Sequence, residues 1–215
     1  HGSPFKEFGS TGLKRYDGAV FEEYDRKWKD LNTMIALVKE MLDHPIIAAM
    51  MFAIEMSFRR AEFNVLPAGE SQADKDAARF LEENMNDMSH SWDDHVTQFA
   101  TTLHYGFSLF EIVYKRRLGA FKDPESKYDD GLIGWRKFAF RSQDTMSPGR
   151  EWIFDEHGGI QGFVQNAPPM YQDVAIPIDK SILYRTTINK NNPQGRSVLR
   201  PVYMPWFYAT NLAEV

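Results

Sequence analysis

Hydrophobic residues at Leu31, Met34, Ile35, Val38, Met41 and Leu42 recur at the i, i+3, i+4, i+7 spacing of an amphipathic helix. Asp43-His44-Pro45 interrupts it: Asp43 or His44 suits a cap, and Pro45 suits the first turn of a second helix. Ile46, Ala49, Met50, Ala53, Ile54 and Phe58 continue an apolar stripe. Arg59-Arg60 complements the dipole in the last turn. Glu62 to Leu66 alternates and predicts a short strand ending at Pro67. After a turn at Ala68 to Ser71, Ser71 or Asp74 caps a helix that points Ala77, Phe80, Leu81, Met85 and Met88 inward. Ser91 caps another, with Trp92, Val96, Phe99 and Leu103 inward, closed by Gly106.

The period then switches to two. Phe110, Ile112 and Tyr114 alternate with Glu111, Val113 and Lys115 in a strand ending near Leu118. Gly106-Phe107-Ser108 reads as the turn before it, and Asp123 to Gly131 as an exposed loop. Gly134 to Arg141 predicts a second strand. Trp152 to Phe154, a turn at Glu156 to Gly159 and Ile160 to Gln165 predict a hairpin. Pro168-Pro169 breaks the pattern before two short strands, Val174 to Ile178 and Ile182 to Thr187, and a loop from Asn189 to Gly195. Ser197 opens a helix with Val198, Leu199, Val202, Trp206 and Leu212 on its apolar stripe and no stop signal up to Val215, so we expect a helix cut short in a part of a larger protein. The fold class expected is α+β, with helices first and short antiparallel strands later. Its divisions are an arm over 1–30, a domain over 31–196 and the start of a long helix over 197–215. Within the arm, Gly9 to Gly18 reads as extended and His1-Gly2-Ser3 as a cloning remnant.

Composition narrows the classes. The 215 residues include 16 Phe, 9 Tyr and 5 Trp and are 43% hydrophobic, enough apolar surface to offset chain entropy, which excludes disorder. No apolar run approaches the ~20 residues of a membrane span, and the N-terminus lacks the apolar core of a secretory signal. Zero Cys excludes disulfides, zinc ribbons and thiol nucleophiles and fits a reducing compartment. The net charge of -5 hides an asymmetry: residues 1–100 carry 11 basic and 18 acidic side chains, residues 101–215 carry 14 and 12.

Candidate chemistry is sparse. His90 and His95 are five apart, and His95 and His104 nine, neither being the i, i+4 pair that sets two imidazoles on one helix face. His44 reads as a helix-boundary residue. Asp93-Asp94 and Asp129-Asp130 are consecutive acids, which diverge by about 100° on a helix and make a poor acid–base dyad. No nucleophile elbow or phosphate-binding glycine loop occurs, and no cofactor is implied. The competing function, a metal-dependent nucleic-acid-processing enzyme, would use Asp93, Asp94 and His95. From Lys180 to Ala213 the only charges are Lys180, Arg185, Lys190, Arg196 and Arg200, five cations that could face phosphate or an acidic neighbouring subunit. Most of the 10 Met sit at core-like spacing, but consecutive Met50-Met51-Phe52 cannot share one core and suggest burial on two sides, as in a subunit interface.

Several stretches are familiar in series. They are Gly9 to Leu13, the helix pair ending in Phe58-Arg59-Arg60, Phe80 to Met85, and Tyr105-Gly106-Phe107-Ser108 running to Lys115. Gly134-Trp135-Arg136-Lys137, Trp152 to Gly159, and Gly195-Arg196-Ser197-Val198-Leu199-Arg200-Pro201-Val202-Tyr203 complete the series. Together they resemble the portal proteins of tailed bacteriophages, in the Mu-type branch. The resemblance implies a ring, usually of twelve subunits, at one capsid vertex, through which double-stranded DNA is packaged and ejected without sequence specificity. It implies that residues 31–196 are wing-like and that Gly195 to Pro201 leads into a stem helix, with clip, second stem helix and crown to follow. It also implies partners: the terminase motor, which hydrolyses the ATP, the major capsid and scaffold proteins, and head-tail adaptors. The implied location is the virion, after assembly in the host cytoplasm, with no membrane contact and no enzymatic activity.

Overall fold

The computed structural model of the chain describes residues 6–213. His1-Gly2-Ser3 and residues 214–215 of the C-terminal helix expectation lie outside the described residues. The chain opens with a small ladder of Arg15–Tyr16 (β1) against Ala19–Val20 (β2). Six helices follow: α1 (Arg26–Lys29), α2 (Leu31–Leu42), α3 (Pro45–Arg59), α4 (Gln72–Asn86), α5 (Trp92–Phe99) and α6 (Thr101–Tyr105). Next come six strands: β3 (Phe107–Leu118), β4 (Asp129–Arg141), β5 (Trp152–Phe154), β6 (Ile160–Ala167), β7 (Gln172–Pro177) and β8 (Ser181–Arg185). Helix α7 (Tyr203–Ala213) is the last element. This is the α+β arrangement expected, with both main sheets antiparallel: β4-β3-β8 and β5-β6-β7.

The periodicity of α2 is fulfilled, with Leu31, Met34, Ile35, Val38 and Met41 buried. They meet Phe107 and Leu109 of β3, Trp152, Phe163 and Ile176 of the second sheet, and Leu199, Tyr203 and Trp206 near the C-terminus. Each such side chain contributes roughly 1.5–3 kcal/mol by leaving water, so this shared core is what joins helices, sheets and C-terminal segment. The caps fall where expected. Ser71 accepts from the Asp74 N–H, Ser91 and Asp94 form a reciprocal capping box, His44 precedes Pro45, and Gly106 closes α6 with φ 91°.

The arm lies on the domain. The Thr11 N–H donates to the His157 carbonyl at 3.0 Å and the Trp152 N–H to the Gly18 carbonyl at 3.1 Å. Gly18 has φ +90°, and a Cβ there would meet the Trp152 oxygen at 2.5 Å, so this contact requires glycine.

Several expectations are corrected. Glu62 to Leu66 forms no strand, because no neighbouring strand pairs with it. Phe107 and Ser108 belong to β3, and Asp129 to Gly131 to β4, so the loop between them is shorter than expected. Ser197 does not start a helix: its hydroxyl donates to the His104 carbonyl at 2.5 Å and accepts from the Leu199 N–H at 3.0 Å. A single 3-10 turn at Arg200–Val202 precedes α7. The buried face there is Leu199, Tyr203 and Trp206, while Val198, Val202 and Leu212 are exposed.

Three helix and strand faces also differ. In α4 only Asn84 is fully buried, and Ala77 and Leu81 are exposed. In α3 the buried residues are Ile47 and Met51, and most of the expected stripe faces solvent. In β3 alternation holds, but beyond Val113 the covered face is Lys115 and Arg117, and Tyr114 is exposed. Acids supplied by α4 and the residue after it explain this. The Lys115 ammonium lies 3.0 Å from Asp87 and donates to the Glu125 carbonyl, while Arg117 pairs with Glu83 at 2.7 Å and Asp130 at 2.8 Å. Phe80 and Tyr128 cover the Arg117 guanidinium. Buried charges are tolerated when paired and hydrogen-bonded.

Candidate functional site

The basic segment and the arm together line a polar cleft of about 370 Å3, among whose walls are Glu22, Glu23, Trp28, Tyr105, Arg196 and Arg200. Its frame is a close backbone crossing. Gly106 and Gly195 both have positive φ, and a Cβ on either would run into the other segment's backbone. The Thr186 N–H donates to the Gly106 carbonyl at 3.0 Å. The Thr186 hydroxyl donates to the Arg196 carbonyl at 2.6 Å and accepts from the Arg196 N–H at 2.8 Å. The Val198 N–H donates to the Leu103 carbonyl at 3.0 Å. Two stretches that carried the resemblance, Tyr105 to Lys115 and Gly195 to Tyr203, thus meet in space.

The five cations have different environments. Arg200 is only 6% exposed. It donates to both Glu23 carboxylate oxygens, at 2.8 and 3.1 Å, and its guanidinium lies over the Tyr24 and Trp28 rings. The hydrogen bond from Arg200 holds the Glu23 carboxyl below the usual carboxylate range, and the same pairing raises the Arg200 pKa. Lys190, in the left-handed region at φ 53°, pairs with Glu22 at 3.0 Å. Glu22 is lowered first by the Lys14 N–H and then by Lys190. Arg185 donates to the Asn191 side chain at 3.0 Å and the Asn192 carbonyl at 3.2 Å, which shapes the loop. Lys180 and Arg196 are exposed, Arg196 being held through its backbone.

The structure does not bring Asp93, Asp94 and His95 together. His95 is fully buried among Phe110, Phe138, Trp92 and Tyr184, with ring centroids 4.5–5.8 Å away, and its Nε2 lies 3.1 Å from the Tyr184 hydroxyl. Burial lowers its pKa to about 4, so it is a neutral core residue at pH 7. Asp94 is exposed and accepts from the Ser91 N–H at 3.0 Å and hydroxyl at 2.7 Å, and Asp93 is exposed. This geometry lends the competing metal-enzyme reading no support. Among the described residues no group of three or more His, Asp or Glu is placed to hold a metal ion, and no helix is long and apolar enough to cross a membrane. His104 lies 2.8 Å from Glu55 and ties α6 to α3.

Sequence reasoning missed the partners Glu22 and Glu23. Two adjacent acids before Trp28 gave a weak signal, because nothing in their spacing pointed to Arg200 some 177 positions away.

The chain's sequence matches a family of bacteriophage structural proteins. It belongs to the family described as the portal protein of Mu bacteriophage, which it matches over residues 35–214. That span runs from within α2 into the C-terminal helix and includes both sheets and the basic segment; the arm with Glu22 and Glu23 lies outside it. A search of curated proteins finds no match.

Proposed function

We propose that the chain forms part of a closed portal ring at a capsid vertex, through which double-stranded DNA is packaged and ejected. The observation that carries this reading is the continuous family match over residues 35–214. Residues 31–196 form the wing, residues 1–30 are an arm laid on it, and the segment from 197 leads into the stem. The ring is the usual twelvefold one of the resemblance. Terminase docks on it and supplies the ATP hydrolysis, while the capsid, scaffold and head-tail adaptor proteins contact its rim and ends. Its place is the virion, after assembly in the host cytoplasm.

The work of such a part is shape and assembly rather than bond making. A heterologous contact closes a ring when its rotation divides a full turn, and it needs two different faces on each copy. A conduit should hold phosphate weakly, because each added cation contact strengthens binding and makes it salt-dependent. The net charge of -5, and the use of Glu22 and Glu23 to occupy Lys190 and Arg200, suit that requirement. Lys180 and Arg196 are the cations of the segment that face a neighbouring subunit or the DNA backbone; Arg185, Lys190 and Arg200 shape the cleft. Sedimentation velocity of the chain tests the reading. A discrete ring-sized species is expected, and Arg196→Glu is expected to reduce it without altering circular dichroism. An unchanged oligomer in that variant removes Arg196 from the interface.

A further inference from the structure

Between Pro45 and Ile54 helix α3 carries ten consecutive residues without a charge, yet only Ile47 and Met51 are buried. Ile46 is 65% exposed, Met50 61% and Phe52 62%, with Ile54 partly open and Ala49 and Ala53 exposed beside them. A second apolar surface lies at the free end of the β3–β4 hairpin. There Phe121 is fully exposed, Leu118, Leu132 and Ile133 are largely so, and a cavity of about 470 Å3 opens against Phe80, Arg116, Leu132 and Ile133. The two surfaces cannot cover each other in one chain. Phe110, whose ring touches His95 of α5, the helix packed on α3, lies roughly 25 Å along the strand from Leu118.

We propose that the outward face of α3 docks on the β3–β4 hairpin end of a second copy of this chain. The proposal rests on the ring reading and names the faces that would close it. The two surfaces match in size. At roughly 200 Å2 per large side chain, each exposes on the order of 500 Å2 of apolar area, so covering both reaches the roughly 1,000 Å2 that a specific interface needs. Patches of this size are at the upper end of what a monomer leaves open. They differ in shape, a convex helix and a hairpin with a cavity beside it that admits a side chain the size of Phe52 or Met50. Two unlike faces on one chain produce a heterologous, head-to-tail contact.

The chain has no Cys, so single thiols can be placed at will. Met50→Cys and Phe121→Cys are prepared separately, checked by circular dichroism, mixed and treated with a short bis-maleimide. A covalent dimer is expected only in the mixture, and the double variant is expected to give a ladder of oligomers. Phe52→Glu should weaken self-association at least tenfold. Met50→Cys that cross-links alone would mean that α3 packs on α3, which overturns the head-to-tail contact. An oligomer in sedimentation without any cross-link in the mixture would overturn this interface and assign α3 to a different partner, while the ring reading stands. A chain that stays monomeric at all concentrations defeats both.

Discussion

Arg196 and Arg200 stand four positions apart and do different work. Arg200 is buried, bound by two hydrogen bonds to Glu23 and covered by aromatic rings, so removing it strands a carboxylate that is itself largely covered. Arg200→Ala is therefore expected to cost about 3 kcal/mol in urea unfolding, whereas Arg196→Ala should stay within about 0.5 kcal/mol. Equal effects of the two would show that the arm does not hold Arg200 in solution. His95 gives a pH signature. Its pKa falls from 6.5 to about 4 on folding because burial penalises the imidazolium. The unfolded chain then binds more protons in that window, so stability drops as pH falls from about 6.5 toward 4, by about 3 kcal/mol at ~1.4 kcal/mol per unit. His95→Gln should lose that limb of the stability profile. Glu22 and Glu23 act lower down: both are held below 4.5, so their contribution is complete above that value and disappears as they protonate beneath it.

Among the elements, α5 depends on its first turn. Ser91→Ala removes the hydroxyl half of the capping box, leaving only the bond from the backbone N–H of residue 91 to Asp94, and should cost about 1 kcal/mol, read as a lower melting temperature. Helix α4 depends on charge. Asn84 packs on Gly134, where a Cβ would collide with its side-chain oxygen, and Asp87 receives the Lys127 N–H, the Ser126 hydroxyl and the Lys115 ammonium. Burial pushes the Asp87 carboxyl up, but these donors together outweigh it and keep it ionised. Lys115→Ala should cost about 3–5 kcal/mol, and adding Asp87→Ala should recover part of the loss, because the second change removes the orphaned charge. The same contrast explains what was legible. Helix α2, the Pro45 start, the Ser71 and Ser91 caps, Gly106 and the Trp152 hairpin follow from local rules, and all are visible in sequence. The inward Lys115 and Arg117 are not, because the periodic pattern marks alternation without saying which face a distant helix will cover. Ser197 shows the same limit: its hydroxyl does accept from the Leu199 N–H, but the turn it opens leads into the 3-10 turn at Arg200–Val202, and α7 begins only at Tyr203. Of the candidate site, the cationic run was legible; its division into three residues tied inside the chain and two exposed ones depended on contacts with the loop and arm.

For the whole molecule, the membership in the Mu portal family and the amount of apolar surface left open point the same way. A core shared by α2, both sheets and the C-terminal segment makes one protomer rigid enough to present two separated faces. Such a body gains by repeating the same contact until the circle is complete. The most direct test is electron microscopy of the purified chain at concentrations where sedimentation shows association. Class averages of closed annuli with a single rotational symmetry and a central opening wide enough for duplex DNA are the predicted result. Particles that remain lone protomers, or that grow as open filaments without closure, would contradict it.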